Sequence, residues 1–304
     1  MQQWIGDLVD VGPGGFLGNR VLVPMSTAIV RTFTEEGFII AADGRARGAE
    51  DGIKKYDDLQ KIFAIGNNPR SLAYSISGAA SIATCDGTEI AFDFITEINR
   101  ATEALSMRRY DNLGEYARKA FGSVHQKLKD SKLAGRLDYP ELGTFDPSER
   151  GSTIARVFID GYYRDVPCRV KVRFFHECQV LAGLEVLQQE LAMGAQWAQG
   201  STKVFEMMFE GHVGHEDNLF SKYMQRSSEL ISHANETLRI YAQMAYAYID
   251  ACSGPEALAI DPKPCAGIGG RIHIATITPK VGFRWLREPN NLAMSRVSQT
   301  NSTQ

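Results

Sequence analysis

The chain has 304 residues, of which 44% are hydrophobic and 23% charged, and a net charge of −3. This is ordinary globular composition, long enough for one large layered core. Basic residues are scattered, so no nucleic-acid footprint is visible, and no apolar run is long enough to cross a bilayer.

In chain order, residues 1–26 read as an N-terminal extension. Gly12-Pro13-Gly14-Gly15 breaks it without the strand and lysine that a phosphate loop needs. Its start, Met1 to Trp4, lacks the charged and apolar segments of a signal peptide. The five cysteines (85, 168, 178, 252 and 265) contain no Cys-x-x-Cys, so reduced thiols and a cytoplasmic location are expected. Thr27 to Phe33 and Phe38 to Ala42 flank a polar turn ending at Gly37, which predicts a β-hairpin. Asp43 and Arg45 follow two residues apart, so both should leave one face of the strand. Lys61 opens the next apolar run, Lys61-Ile62-Phe63, and can reach that face.

Further strands are expected to about residue 80, and helices near 87–106 and 113–131, where apolar residues recur at helical spacing. Residues 134–150 read as a loop. Ser152–Ile159 and Cys168–Phe174 alternate as strands about a turn at Gly161. Residues 179–191 fit strand or helix, and 192–209 read as a short strand pair around Gly200. A long helix over 226–251, a last hairpin over 269–285 and a polar tail at 289–304 close the chain. This order suits an α+β fold, a four-layer αββα sandwich, rather than a doubly wound sheet with regular βα alternation.

A threonine hydroxyl attacks a carbonyl only with a base beside it. A free α-amino group, with a pKa of roughly 7.7–8.0, is such a base. Thr27 would therefore need a cut before it and a cation nearby; Lys61 supplies the cation and Asp43 can orient it. Taken alone, an Asp-x-Arg pair only caps a hairpin, and a lone lysine only sits on a solvated edge. Thr27 precedes Asp43 by sixteen positions, with Gly37 between them.

With that spacing, residues 27–80 resemble the start of the mature chain in proteasome β-type subunits and their bacterial ring-forming relatives, which are N-terminal-nucleophile (Ntn) hydrolases. Ala-Ala-Asp-Gly-Arg at 41–45 looks like the family's Ala-Ala-Asp-Ser-Arg signature. Lys61-Ile62-Phe63 is similar to its lysine strand, displaced by about two residues of extra loop. Tyr74-Ser75-Ile76-Ser77-Gly78-Ala79-Ala80 resembles the small-residue turn that supplies an oxyanion-binding amide, here from Ser77 or Gly78. The resemblance implies the same sandwich over 27–288, a removable segment 1–26, Thr27 as nucleophile, Asp43 and Lys61 as its support, and Arg45 beside them. It also implies that Ser201 hydrogen-bonds the α-amino group. Asp261 answers to the family's second acid, but its longer spacing and Pro262 and Pro264 read it as a loop residue.

A self-processing threonine peptidase acting on peptides or proteins follows, in a homo-oligomeric ring that an unfoldase ATPase can feed, without cofactor, metal, nucleic acid or membrane. Two other readings stay open: a catalytically inactive ring or scaffold subunit, and an Ntn amidase for a small molecule. The chain departs from the family at the junction, where Ser26 stands in place of glycine. His212 and His215 invite a metal reading, but surface-loop composition accounts for them better. Met207, Met208, Phe209 and the aromatics of 241–248 read as core, and His273 as a strand residue with a satisfied partner.

Overall fold

The computed structural model describes residues 20–25, 27–47, 54–66, 71–83, 90–131, 137–138, 152–177, 181–194, 196–209, 219–230 and 236–290. Its first strand, β1 (Arg20–Met25), lies in the segment expected to be an irregular extension. β2 (Ile29–Thr34) and β3 (Gly37–Ala42) form the expected hairpin. Thr34 holds its turn: Oγ1 donates to the Gly37 carbonyl at 3.0 Å and accepts the Gly37 N–H at 3.2 Å. Only glycine fits at 37, because φ is +146° and a Cβ would meet the Ile277 carbonyl oxygen at 2.3 Å.

The next strands are β4 (Ala46–Arg47), β5 (Lys54–Tyr56), β6 (Ile62–Ile65), β7 (Leu72–Ala83) and β8 (Ile90–Asp93). Helix α1 (Phe94–Ala104) starts later than the pattern suggested, because residues 90–93 pair with β7. The Asp93 side chain then caps the helix, accepting the Ile95 and Thr96 N–H groups. α2 (Leu113–Asp130) matches its expected span, with Asn112 accepting the Glu115 N–H and Lys127 and Lys129 in its last turn. β9 (Leu137–Asp138) follows.

β10 (Ser152–Tyr163) and β11 (Val166–Glu177) make a long hairpin. Its turn falls at Arg164 and Asp165, both at positive φ, as a two-residue hairpin turn requires. Gly161 is not the turn: it lies inside β10, where a Cβ would meet the Ser71 carbonyl oxygen at 2.1 Å. β12 (Leu181–Gln189) resolves the helix-or-strand ambiguity in favour of a strand. β13 (Gln196–Gln199) is followed by a helix, α3 (Thr202–Phe209), where a second strand was expected. Where one helix was expected over 226–251, the described residues form α4 (Leu219–Leu230) and α5 (Glu236–Cys252); 231–235 lie outside the described residues. α6 (Pro255–Ile260), α7 (Pro262–Cys265), β14 (His273–Thr278) and β15 (Gly282–Arg287) complete the order.

The fold is mixed α and β with two large, mainly antiparallel sheets. One runs β12-β11-β10-β7-β1-β9, with β6 and β8 also on β7; the other runs β13-β2-β3-β14-β15. Three apolar clusters join these parts. The first packs α1 and α2 on the larger sheet through Phe94, Phe121, Tyr116 and Phe174. The second packs α3 and α5 on the smaller sheet through Val204, Ala245, Ile249 and Ile274. A third, smaller cluster lies between the sheets, with Phe38, Ile40 and Ile277 from one and Ile62, Ala73 and Tyr162 from the other. Burial of such side chains contributes about 25 cal/mol per Å² of apolar surface. Met208 is buried as expected, whereas Met207 on the next position of α3 is exposed. Gly12 to Gly15, His212 and His215 lie outside the described residues.

Candidate active site

Thr27 stands where the chain leaves one sheet for the other. Met25 ends β1 opposite Gly78 of β7, and Ile29 begins β2 opposite Ala42 of β3. β1 and β6 lie end to end along the same edge of β7, so Lys61, just before β6, arrives beside Thr27. The Lys61 ammonium donates to Thr27 Oγ1 at 3.3 Å and to Asp43 Oδ1 at 2.8 Å.

Asp43 follows directly on β3 rather than lying within it, and its carboxylate is wholly buried. Oδ1 also accepts the Ala28 N–H at 2.9 Å, while Oδ2 accepts the Gly269 N–H at 3.1 Å and the Arg45 N–H at 3.3 Å. It thus ties the backbone next to Thr27 to the loop before β14. Arg45 braces the same loop: Nη1 donates to the Ile268 carbonyl at 3.1 Å and Nε to Asp57 Oδ1 at 3.0 Å. A Cβ at Gly269 would lie 2.6 Å from the Arg45 guanidinium carbon. Burial pushes the Lys61 ammonium pKa down, against the attraction of Asp43. Burial also pushes the Asp43 carboxyl up, against Lys61 and its N–H donors. Both directions disfavour the charged forms, while the mutual attraction and hydrogen bond favour them.

Ser77 and Gly78 lie on the adjoining stretch of β7, Ser77 buried and paired with Arg156, Gly78 paired with both Met25 and Ala155. Gly78 has φ of +89°, and a Cβ there would meet the Ile154 carbonyl oxygen at 2.6 Å. The kink turns backbone amides at the edge where β1 ends, so either residue remains a candidate donor to an oxyanion.

Ser201 does not sit in a strand pair. It precedes α3, where its Oγ accepts the Val204 N–H at 3.1 Å and donates to Asp261 Oδ2 at 2.7 Å. Asp261 is, as read, a residue outside the regular elements, at the junction of the short helices α6 and α7, and it accepts the Ser201 hydroxyl there. Gly200, at φ +133°, allows the close packing before Ser201, since a Cβ there would lie 2.7 Å from Tyr248 Oη. Tyr248 Oη donates to the Ser201 carbonyl at 3.1 Å from the opposite side.

The Asp58–His273 pair had no sequence signal beyond the alternation of β14. His273 is fully buried, with Nε2 2.8 Å from Asp58 Oδ1, and Asp58 Oδ2 accepts the Asn290 N–H at 2.8 Å. The expected satisfied partner holds for only one ring nitrogen, since Nδ1 has none among the described residues. Burial pushes the His273 pKa below 6.5, with Asp58 opposing and Lys61 and Arg271 adding to the fall.

No protein-family model and no curated protein matches the chain. Among solved structures, it is similar to the Anbu (Gly-1) mutant from Hyphomicrobium sp. strain MC1, with 12% identity and a TM-score of 0.45, over 89% of this chain and 90% of that one.

Proposed function

We propose that residues 27–288 form a proteasome-like Ntn hydrolase domain with the four-layer αββα arrangement, and that the protein is a self-processing threonine peptidase. The observation that carries this reading is the hydrogen bond from Lys61 Nζ to Thr27 Oγ1, with Asp43 fixing the lysine from behind. In the intact chain Lys61, with its pKa lowered by burial, takes the Thr27 hydroxyl proton as Oγ1 attacks the Ser26 carbonyl carbon. Lys61 passes that proton to the Thr27 nitrogen as the Ser26–Thr27 C–N bond breaks, which leaves an ester on Oγ1 and a free α-amine, and water hydrolyses the ester to release Ser26 as a carboxylate. Residues 1–26 depart, and 289–304 remain as a tail. The freed amine then serves as base for peptide substrates, Lys61 keeps it partly neutral, and the amide of Ser77 or Gly78 receives the oxyanion. Ser201, held by Asp261, orients the amine.

The same reading carries a homo-oligomeric ring in the cytoplasm, served by an unfoldase ATPase. None of the helices among the described residues is long and apolar enough to cross a membrane. Intact mass and N-terminal sequencing of the purified protein, beside Thr27→Ala, test the reading. Wild type beginning at Thr27 with a full-length variant supports it. Retention of residues 1–26 in both under all conditions replaces it with the inactive ring or scaffold subunit, which the Ser26 junction favours. Cleavage of small amides but not peptides by the processed protein would favour the amidase.

A further inference from the structure

The layer between the sheets is apolar on one side only. Toward the edge strands β12 and β13 it turns polar and cationic. On β10, Arg156, Phe158 and Asp160 face this layer; on β11, Arg169, Lys171 and Arg173 stand opposite them in register; on β12, Gln189, Leu187 and Glu185 continue the three rows. Arg31 of β2 comes down from the facing sheet with its guanidinium carbon 3.1 Å from the Phe158 ring centre. Five basic side chains thus share the slot with two carboxylates, Asp160 and Glu185.

The pairing inside is incomplete. Arg169 Nε donates to Asp160 Oδ1 and Arg173 Nε to Glu185 Oε2, the latter at 3.0 Å. Arg31 is 1% exposed, yet among the described residues its Nε and Nη1 find no acceptor; Arg169 is 2% exposed, yet its Nη2 finds none there. Asp160 Oδ2 and Gln189 Oε1, buried beside Arg169, find no donor among the described residues. Burial pushes the Arg31 pKa down to about 9, which still leaves it charged at neutral pH. A buried guanidinium holds its charge at neutral pH, and each buried polar group left without a partner carries its desolvation cost uncompensated.

We propose that this slot binds a small protonated oxyanion of the hydrogen-phosphate class. Its charged oxygens accept from Arg31 and Arg169, and its hydroxyl donates to Asp160 Oδ2. Only a ligand with both acceptors and a donor complements the unmatched atoms on both sides. Sulfate, which has no proton at neutral pH, meets repulsion at Asp160. The site is separate from Thr27 and does not depend on the hydrolase reading.

The test is thermal unfolding of the full-length protein titrated with inorganic phosphate or sulfate, with sodium chloride holding ionic strength constant. A saturable rise in Tm with phosphate, weaker with sulfate, is expected in wild type. Arg31→Met should bind phosphate at least about tenfold more weakly, the size of one lost charge-assisted hydrogen bond. Asp160→Asn should reverse the preference toward sulfate. No rise beyond the chloride control, an undiminished rise in Arg31→Met, or an unchanged phosphate-to-sulfate preference in Asp160→Asn each overturns the proposal. Should Arg31→Met fail to fold, the Asp160→Asn preference alone decides.

Discussion

Lys61 and Asp43 form a wholly buried ion pair, 2.8 Å apart, at the point where the two sheets exchange the chain. Its members rely on each other, because a lone buried charge is far more costly than the pair. Lys61→Met should therefore destabilise the fold by about 3–5 kcal/mol, and pairing it with Asp43→Asn should restore more than half of that loss. Urea unfolding midpoints of the two variants check this. Neither should process itself, so intact mass separates the loss of chemistry from the loss of stability.

The second prediction contrasts two glycines. Gly78→Ala forces a side chain into a left-handed backbone and against the Ile154 carbonyl, so it should cost at least about 1–3 kcal/mol and abolish hydrolysis. Gly122, inside α2, has no atom within 4 Å of where a Cβ would lie. Gly122→Ala should raise stability by about 0.5–1 kcal/mol through helix propensity alone. Denaturant unfolding of both distinguishes backbone demand at Gly78 from ordinary glycine cost.

Ser201 has a structural and a chemical role that mutation can separate. Ser201→Ala removes both the α3 cap and the bond to Asp261, and should cost about 0.5–2 kcal/mol of stability. Ser201→Asp restores a capping oxygen but sets a carboxylate against Asp261. It should recover helix stability only in part and leave hydrolysis impaired, measured by unfolding and by peptide turnover.

The pH dependence should carry the signature of His273. An unfolded His273 takes up a proton near 6.5, while the folded one, buried beside Asp58, Lys61 and Arg271, resists it. Protons therefore favour the unfolded chain as pH falls through 6.5, and the full contribution is present above it. The unfolding midpoint should drop between neutral pH and pH 5, and His273→Gln should flatten that slope.

How far these features could be read in advance depends on whether the signal is local. The β2–β3 hairpin and α2 rest on period and turn chemistry visible along the chain, whereas the grouping of Thr27, Asp43 and Lys61 is legible only through the resemblance of residues 27–80 to proteasome β-type subunits. The start of α1 was misplaced because Ile90 to Asp93 carry a helix-compatible pattern that pairing with β7 overrides. The turn of the β10–β11 hairpin was drawn to Gly161, although Arg164 and Asp165 adopt the positive φ values that a glycine usually supplies. Asp261 looked isolated because its partner, Ser201, is sixty residues away and meets it only through packing of α3 against α6 and α7. The charged layer behind Phe158 has a similar cause: Asp160 and Arg169 meet across the β10–β11 hairpin, but Arg31 joins them only when the two sheets stack.

The pairing of β1 with β7 sets what maturation would do to the surface. While the chain is intact, Leu22 to Met25 occupy the backbone edge of β7 from Ile82 to Gly78. Releasing them would uncover a row of unpaired amides and carbonyls ending beside Thr27, an edge able to pair with an extended chain. The protein would then be at its most adhesive in the state in which it is competent. Storage as the uncut chain, or enclosure of that edge within an assembly, becomes a condition of its solubility as much as of its specificity.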